Sequence, residues 1–414
     1  VGQARGHQMI AVAGGTYVEV CHWPPRRALF GSGGRAAAAI SDILKASDIA
    51  LYSYIGDKER ETLGSIAEAF GFSTEASRIP RTVAFNYFHP LSVPEIIPSP
   101  HNLAPASPIE VKAKHVLRYG FIEGDAVVRG NNVVYDPQNA WHPKPFRENG
   151  STARRLAIVL NRREGEIFTK QKEPSAIIKA VARLEDADAV VLKMGPMGSL
   201  VFEHGSAHHV PCYKTEFIWP IGSGDVFAAV FFAYWAVLGH RARKAADLAS
   251  RGTALYCNTE SLPVLRKDLM GKKLIPVGAK GIGRPRAARM AYLAGPFFTL
   301  AQRWLIEQAR EGLLGVGLGV FSPFHDIGHG AAEDVVSKDI RGLKRSNVLF
   351  AVLDGLDSGT LFEIGYARAL GIPVIAFAQN ESMEAVKMLL GTGCRIEKDL
   401  ASAIYKTAWL ALER

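Results

Sequence analysis

Two short stretches place acidic residues where acids do chemistry. Near the C-terminus an apolar run, Leu349–Leu353, stops at Asp354 and continues Gly355-Leu356-Asp357-Ser358-Gly359-Thr360-Leu361-Phe362-Glu363-Ile364-Gly365-Tyr366-Ala367. Asp357 and Glu363 stand among apolar neighbours, and buried acids cost free energy unless they are partnered. Such a pair points to a reactive site. Earlier in the chain, Pro220-Ile221-Gly222-Ser223-Gly224-Asp225 opens an apolar segment. Bare amides of Gly222 and Gly224 at a helix start suit a phosphoryl group in flight. Asp225, set beside an acceptor hydroxyl, could take its proton. Taken singly, an acid in a first helical turn also complements the helix dipole, so neither acid decides its role alone.

The elements that must carry these residues follow from hydrophobic pattern. Leu349–Leu353 reads as a buried strand, with a helix after its Gly-bearing turn ending at Leu370-Gly371. Carboxylates are thereby delivered to the carboxyl edge of a sheet, where open α/β sheets build their sites. In the N-terminal part, strands are expected at Met9–Ala13, Ile49–Ile55, Val133–Asp136, Leu156–Leu160 and Ala189–Lys193. Gly31-Ser32-Gly33-Gly34 opens an Ala-rich helix from Arg35 to about Lys45, and Val226–Leu238 reads as a buried helix. Alternation over Val83–His89 suggests an exposed sheet or lid, and Pro94–Pro108 an irregular loop. Strands alternating with helices predict a mostly parallel sheet covered on both faces. In the C-terminal part, strands are expected at Ala291–Ala294, Val316–Phe321 and Val374–Phe377. Helices are expected at Leu300–Gly312, Asp334–Lys344 and Ala385–Leu390.

At 414 residues two domains are the default. The net charge of +9 is spread along the chain, apart from Gly271–Arg289, which has six basic residues and no acid. That strip reads as a solvated linker, and because no aromatics interleave with it, nucleic-acid binding is not expected. Four cysteines without a CxxC spacing suit reduced thiols of a cytoplasmic protein. Val226–Leu238 is too short to span a bilayer. Phe324-His325-Asp326-Ile327-Gly328-His329 tempts a metal reading, but no second ligand cluster accompanies it, so loop polarity or substrate contact is expected and no protein-ligated metal site is predicted.

Asn161-x-x-Glu164, Lys193-x-Gly195-x-x-Gly198 and Gly222-Ser223-Gly224-Asp225, in this order, resemble the ribokinase-like (PfkB) carbohydrate and nucleoside kinases over roughly Gln8 to Met270. The resemblance implies a ribokinase-like α/β sandwich with a small lid, and ATP with Mg²⁺ as cofactors. Asp225 would be the catalytic base, and Gly222, Ser223 and Gly224 the anion hole. Asn161 and Glu164 would organise Mg²⁺ and phosphates, Lys193, Gly195 and Gly198 would bind ATP, and Glu19, Gly33 and Gly34 the acceptor. Three departures fall on acceptor recognition: Glu19 stands for an Asp, Arg35 for an Asn, and Ile221 for a Thr.

Tyr292-x-Ala294-Gly295-Pro296, Asp339 and Asp357-x-Gly359-Thr360-x-x-Glu363 together resemble the nucleoside 2-deoxyribosyltransferases over Met290 to about Leu389. A flavodoxin-like, doubly wound α/β domain without a cofactor is implied. Glu363 would be the nucleophile at the anomeric carbon, forming a glycosyl-enzyme, with Tyr292 holding it. Asp339 and Asp357 would contact the nucleoside, and Gly295 and Gly359 leave it room. An ionised Asp357 repels phosphate and so favours a free nucleoside. Relatives complete the site with an Asn from a neighbouring subunit, which makes a homo-oligomer the expectation, although Lys387–Gly391 shows no such Asn. The expected organisation is a kinase domain over 1–270, a basic linker over 271–289 and a transferase-like domain over 290–414. Together they make a bifunctional enzyme of nucleoside or pentose metabolism. The alternative is a kinase-like half that only binds a nucleoside or nucleotide and regulates the other half.

Overall fold

The computed structural model describes residues 9–139, 141–278, 289–328 and 332–413. Two compact units emerge, one of residues 1–194, 198–215 and 219–275, the other of residues 195–197, 216–218 and 276–414. Most of the basic strip, residues 279–288, lies outside the described residues, as does His329.

The first unit begins with β1 (Ile10–Ala13), β2 (Val18–Cys21), β3 (Arg26–Leu29), β4 (Ile49–Ile55) and β5 (Ser73–Arg78). It continues with β6 (Ala84–Tyr87), β7 (Glu95–Ile97), β8 (Ile109–Tyr119) and β9 (Ala126–Asp136). It closes with β10 (Thr152–Asn161), β11 (Ala189–Lys193), β12 (Ser199–Glu203) and β13 (Ser206–Val210). Nine of these form one sheet in the order β13-β12-β11-β10-β9-β8-β1-β4-β5. Its pairs are parallel from β5 through β11, and the β12–β13 hairpin adds antiparallel strands at one edge. The central strands are continuous apolar runs, as a sheet covered on both faces requires. A separate four-stranded sheet, β3-β2-β6-β7, is the lid expected around Val83–His89, and β2 carries Glu19. This is the expected ribokinase-like sandwich with a small lid.

Several boundaries differ from expectation. The Ala-rich helix runs from Gly31 to Ile40 with all its residues buried, starting earlier than Arg35 because its glycines pack directly on the sheet. A Cβ on Gly33 would lie 2.4 Å from the Gly14 carbonyl oxygen. The helix at Asp225 starts at Ser223, ends at Phe232 and passes into a π turn over Ala233–Val237. Strand β7 lies inside the stretch expected to be irregular. Strand β9 extends to 11 residues where only Val133–Asp136 was expected, and the 11-residue β8 was not anticipated from sequence. Charged residues such as Lys112, Lys114 and Arg129 sit in their outer halves and mask the apolar pattern there.

The second unit contains β14 (Met290–Ala294), β15 (Gly319–Phe321), β16 (Val348–Val352), β17 (Val374–Phe377) and β18 (Arg395–Glu397). All pairs are parallel, in the order β15-β14-β16-β17-β18. This is the flavodoxin-like doubly wound arrangement, whose direction reverses between β14 and β16. Strand β16 is wholly buried, and Tyr292, Leu349, Ala351, Ile364 and Ala376 share one core cluster. A C-terminal helix, Leu400–Glu413, which the apolar pattern had not singled out, adds Ile404, Ala408 and Leu412 to the interior.

Candidate active sites

Strands β14 and β16 end side by side at the point where the sheet order reverses, so a crevice opens beyond their carboxyl ends. There a cavity of about 330 Å³ is lined by Gly295, Asp339, Asp357, Gly359 and Glu363, which the sequence had grouped. That volume suits a small ligand. Tyr292, on β14, donates its hydroxyl to Glu363 Oε1 at 2.5 Å. The Tyr292 ring is fully buried and stacks on Phe321, 5.6 Å between centroids, so the hydroxyl is held in place. Burial pushes the Glu363 carboxyl up to about 7, the Tyr292 hydrogen bond opposes that rise, and Asp339 and Asp357 reinforce it. Glu363 is the sixth residue of the helix Ser358–Ala369, beyond its first turn, so it does not serve the helix dipole. Asp357 does: it is the N-cap, and its Oδ2 accepts from the Thr360 amide at 2.8 Å and the Thr360 hydroxyl at 2.9 Å. Asp339 has a buried Oδ1 without a hydrogen-bond partner among the described residues, and burial raises its pKa.

Gly295 allows the turn after β14. A Cβ there would lie 2.9 Å from the Val352 Cβ and 2.7 Å from the Ile306 Cδ1. A Cβ on Gly359 would meet only Asp357 Oδ2, at 3.2 Å. Sequence reasoning missed Phe297 and Phe298, which line the same cavity together with Phe324; the Phe297 ring packs tilted against Phe298 and Phe324, 5.2 Å and 5.1 Å between centroids. Their signal was the Phe-Phe pair directly after Gly295-Pro296. His325 is committed to the loop: its ring contacts Ser322 Oγ at 3.0 Å and Glu307 at 2.7 Å. Asp326 accepts from the Ser322 amide at 2.7 Å. Among the described residues no group of three or more His, Cys, Asp or Glu forms a ligand set.

In the first unit, Gly222 is the left-handed N-cap (φ 78°) of the helix Ser223–Phe232, and Asp225 lies in its first turn. Two buried hydroxyls pin this loop, Tyr256 to the Ile221 carbonyl at 2.9 Å and Tyr119 to the Asp225 carbonyl at 2.8 Å. Asn161 and Glu164 form a reciprocal capping box at the end of β10. Lys193 ends the neighbouring β11, and its Nζ lies 3.4 Å from where a Cβ on Gly224 would be. It pairs with Asp136 at 2.6 Å. Burial opposes the Lys193 charge, but Asp136, Glu164 and Asp225 together hold its pKa above the ordinary value. Burial also lifts Glu164 to about 7, helped by Asp136. Asp136, at the end of β9, was read from sequence only as a strand end. It is fully buried, and its Oδ1 has no hydrogen-bond partner among the described residues. Gly198 is left-handed just before β12, whereas Gly195 and the single 3-10 turn it opens belong to the second unit.

Residues 128–262 match the model of the pfkB family carbohydrate kinases, and residues 291–399 that of nucleoside 2-deoxyribosyltransferases. A kinase-type segment and a deoxyribosyltransferase-type segment share one chain. Among solved structures, a pyrophosphate-dependent kinase in the ribokinase family is 15% identical, with 64% of this chain and 100% of that one covered and a TM-score of 0.48. Ribokinase from Thermotoga maritima is 16% identical over 63% of this chain and 98% of that one, TM-score 0.46. The nucleoside kinase of Methanocaldococcus jannaschii is 15% identical over 62% and 95%, TM-score 0.47. No curated protein matches the chain.

The residues expected to bind the acceptor are where the structure adds most. Gly33 and Gly34 are buried in the helix Gly31–Ile40, and Glu19 sits on the lid. Arg35, itself buried, joins Glu19 to Asp225: its guanidinium contacts both Glu19 oxygens and donates to Asp225 Oδ2 at 2.9 Å. Gln138 donates to the other Asp225 oxygen at 2.6 Å. Neither Arg35 nor Gln138 had been assigned a role from sequence, although Arg35 was the conspicuous departure beside Gly34.

Proposed function

We propose that the chain is a bifunctional enzyme of nucleoside or pentose metabolism, its parts divided as 1–270 and 290–414 around the strip 271–289. The observation that carries the C-terminal reading is the Tyr292–Glu363 hydrogen bond in a cavity shared with Asp339 and Asp357. Glu363, ionised, attacks the anomeric carbon as the bond to the base breaks, and the base leaves with that electron pair. Asp339, raised by burial, supplies a proton to the base. The glycosyl-enzyme ester then passes its sugar to a second base or to water. Phe297 and Phe324 offer aromatic faces to the base. Asp357, held as an N-cap, presents a negative charge that disfavours a substrate phosphate and supports a free nucleoside.

In the N-terminal site, Asp225 takes the proton of an acceptor hydroxyl while the amides of Gly222–Gly224 meet the charge of the transferring phosphoryl group. Lys193 stands beside that loop to hold the ATP phosphates. Glu164, Asn161 and the unsatisfied Asp136 Oδ1 form an all-oxygen set that fits Mg²⁺ held through water and nucleotide phosphates. When bound, Mg²⁺ supplies charge neutralisation to the phosphates. The coupling is that a pentose freed by one site is trapped by phosphorylation in the other. Mass spectrometry of products from a nucleoside panel, with and without ATP, comparing wild type with Glu363→Ala, tests it. Base release without any phosphorylated sugar or nucleoside refutes the coupling.

A second reading is favoured by one observation: both oxygens of Asp225 are occupied by Arg35 and Gln138. In that reading the N-terminal half binds a nucleoside or nucleotide and regulates the other half. Tight ligand binding without phosphoryl transfer, unaltered by Asp225→Asn, would support it. Small-molecule substrates, a homo-oligomer and a cytoplasmic setting complete the proposal. Among the described residues no helix is long and apolar enough to cross a membrane.

A further inference from the structure

The polar groups facing the acceptor are consumed by one another. Both Glu19 oxygens contact Arg35, and both Asp225 oxygens have donors in Arg35 and Gln138. A neutral sugar hydroxyl entering here must part a buried cation from an acid and offers no charge in return, which is unfavourable. An anion can take the place of the acid and leave the cation paired. The surroundings suit such an anion. A cavity of about 100 Å³ beside this triad is lined by Arg26, Arg27 and Arg35 against Glu19 and Glu260. Arg26 is already paired with Glu260 at 3.3 Å on the exposed rim. Arg35 Nε is buried and has no hydrogen-bond partner among the described residues. It packs on the Gly222 turn so closely that a Cβ on Gly222 would lie 2.2 Å from it. The guanidinium therefore bridges the lid, the base and the loop of bare amides.

We propose that the N-terminal site selects an anionic acceptor, a sugar carrying a phosphate or a carboxylate, whose charged group takes Arg35 from Asp225 and so frees the base. The transfer step rests on the kinase reading above and the recognition step on the charge arrangement alone; an anionic acceptor stands in place of the coupling given there, because the pentose freed from a nucleoside without phosphate is neutral. Once released, the Asp225 carboxylate accepts the proton of the acceptor hydroxyl. The hydroxyl oxygen bonds the γ-phosphorus of ATP, and the bond from that phosphorus to the bridging oxygen breaks with its electron pair leaving on ADP. Arg26 and Arg27, both exposed on the lid strand β3, supply further positive charge at the entrance. The device makes the correct acceptor its own activator.

The test is calorimetric titration of the full chain with ribose, fructose, their monophosphates, ribonate and inorganic phosphate, followed by ATP turnover with each. Charged sugars should bind about tenfold or more tighter than their neutral parents, the worth of a hydrogen bond to a charged group. That advantage should shrink with salt. The phosphate and carboxylate arms decide which anion is preferred, and inorganic phosphate alone should bind more weakly than a sugar phosphate. Arg35→Gln should abolish the preference. Arg27→Gln, at an exposed position that does not endanger folding, should reduce it several-fold. Equal affinity for neutral and charged sugars, no binding of any sugar, or a preference unchanged in both variants overturns the proposal. Preferential binding without ATP turnover leaves it standing and refutes the kinase reading instead.

Discussion

Replacing Tyr292 with Phe tests the chemistry of the C-terminal site most directly. Tyr292 is fully buried in the core cluster, and Phe keeps its ring and its stacking on Phe321. The substitution therefore removes one hydroxyl, the group that donates to Glu363 at 2.5 Å. Burial raises Glu363 to about 7, and this hydrogen bond holds it from rising further. A hydrogen bond to a charged group contributes about 1.5–3 kcal/mol, so its loss raises the carboxyl by about one to two pH units. At pH 7 the wild-type nucleophile is about half ionised, whereas the variant would be about 1–10% ionised. Base release should therefore fall about 5- to 50-fold at pH 7 and recover towards wild type above about pH 9. The assay is kcat/KM for base release across pH 6–9.5. A loss equal at every pH, or an apparent pKa that stays put or falls, refutes the assignment of Tyr292 as the group that tunes Glu363.

Three further outcomes are expected. Glu363→Gln removes a carboxyl whose pKa rises from 4.5 to about 7 on folding. The stability of its protonated form is present below the unfolded pKa and lost as pH rises through 7. The variant should thus exceed wild type by about 3 kcal/mol at pH 8, with the gap narrowing to about 1 kcal/mol by pH 5.5, as read by urea unfolding. Gly295→Ala brings a methyl group against Val352 and Ile306, and should lower stability by about 1–3 kcal/mol in thermal unfolding and distort the cavity. Asp225→Asn should lower ATP-dependent phosphorylation about 10²–10⁴-fold while base release is unchanged, and loss of both activities together would contradict two independent sites.

Much of the candidate chemistry was legible in the chain because it depends on short-range order. A strand followed by a Gly-bearing turn and a helix delivers Asp357 and Glu363 to a sheet edge through local geometry alone, and the Gly222 turn sets Asp225 in a first helical turn. Alternating apolar runs were sufficient to anticipate both α/β layers. Strands were missed or cut short where one strand mixes two environments, as in β8 and β9, and a helix start slipped where glycine packs a helix directly on a sheet, as at Gly33.

Residue roles that depend on distant partners were decided only by the tertiary structure. Sequence could not show that Asp357 caps a helix while Glu363, six residues on, lies beyond its first turn and meets Tyr292. Nor could it show that Arg35, Glu19, Gln138 and Asp225, drawn from a helix, the lid, a loop and a second helix, converge on one ion-paired cluster. The physical reason is the same in both cases. A carboxylate's behaviour is set by desolvation and by the charges within a few ångströms of it, and those neighbours are brought together by the sheet order, over separations along the chain that no local pattern spans.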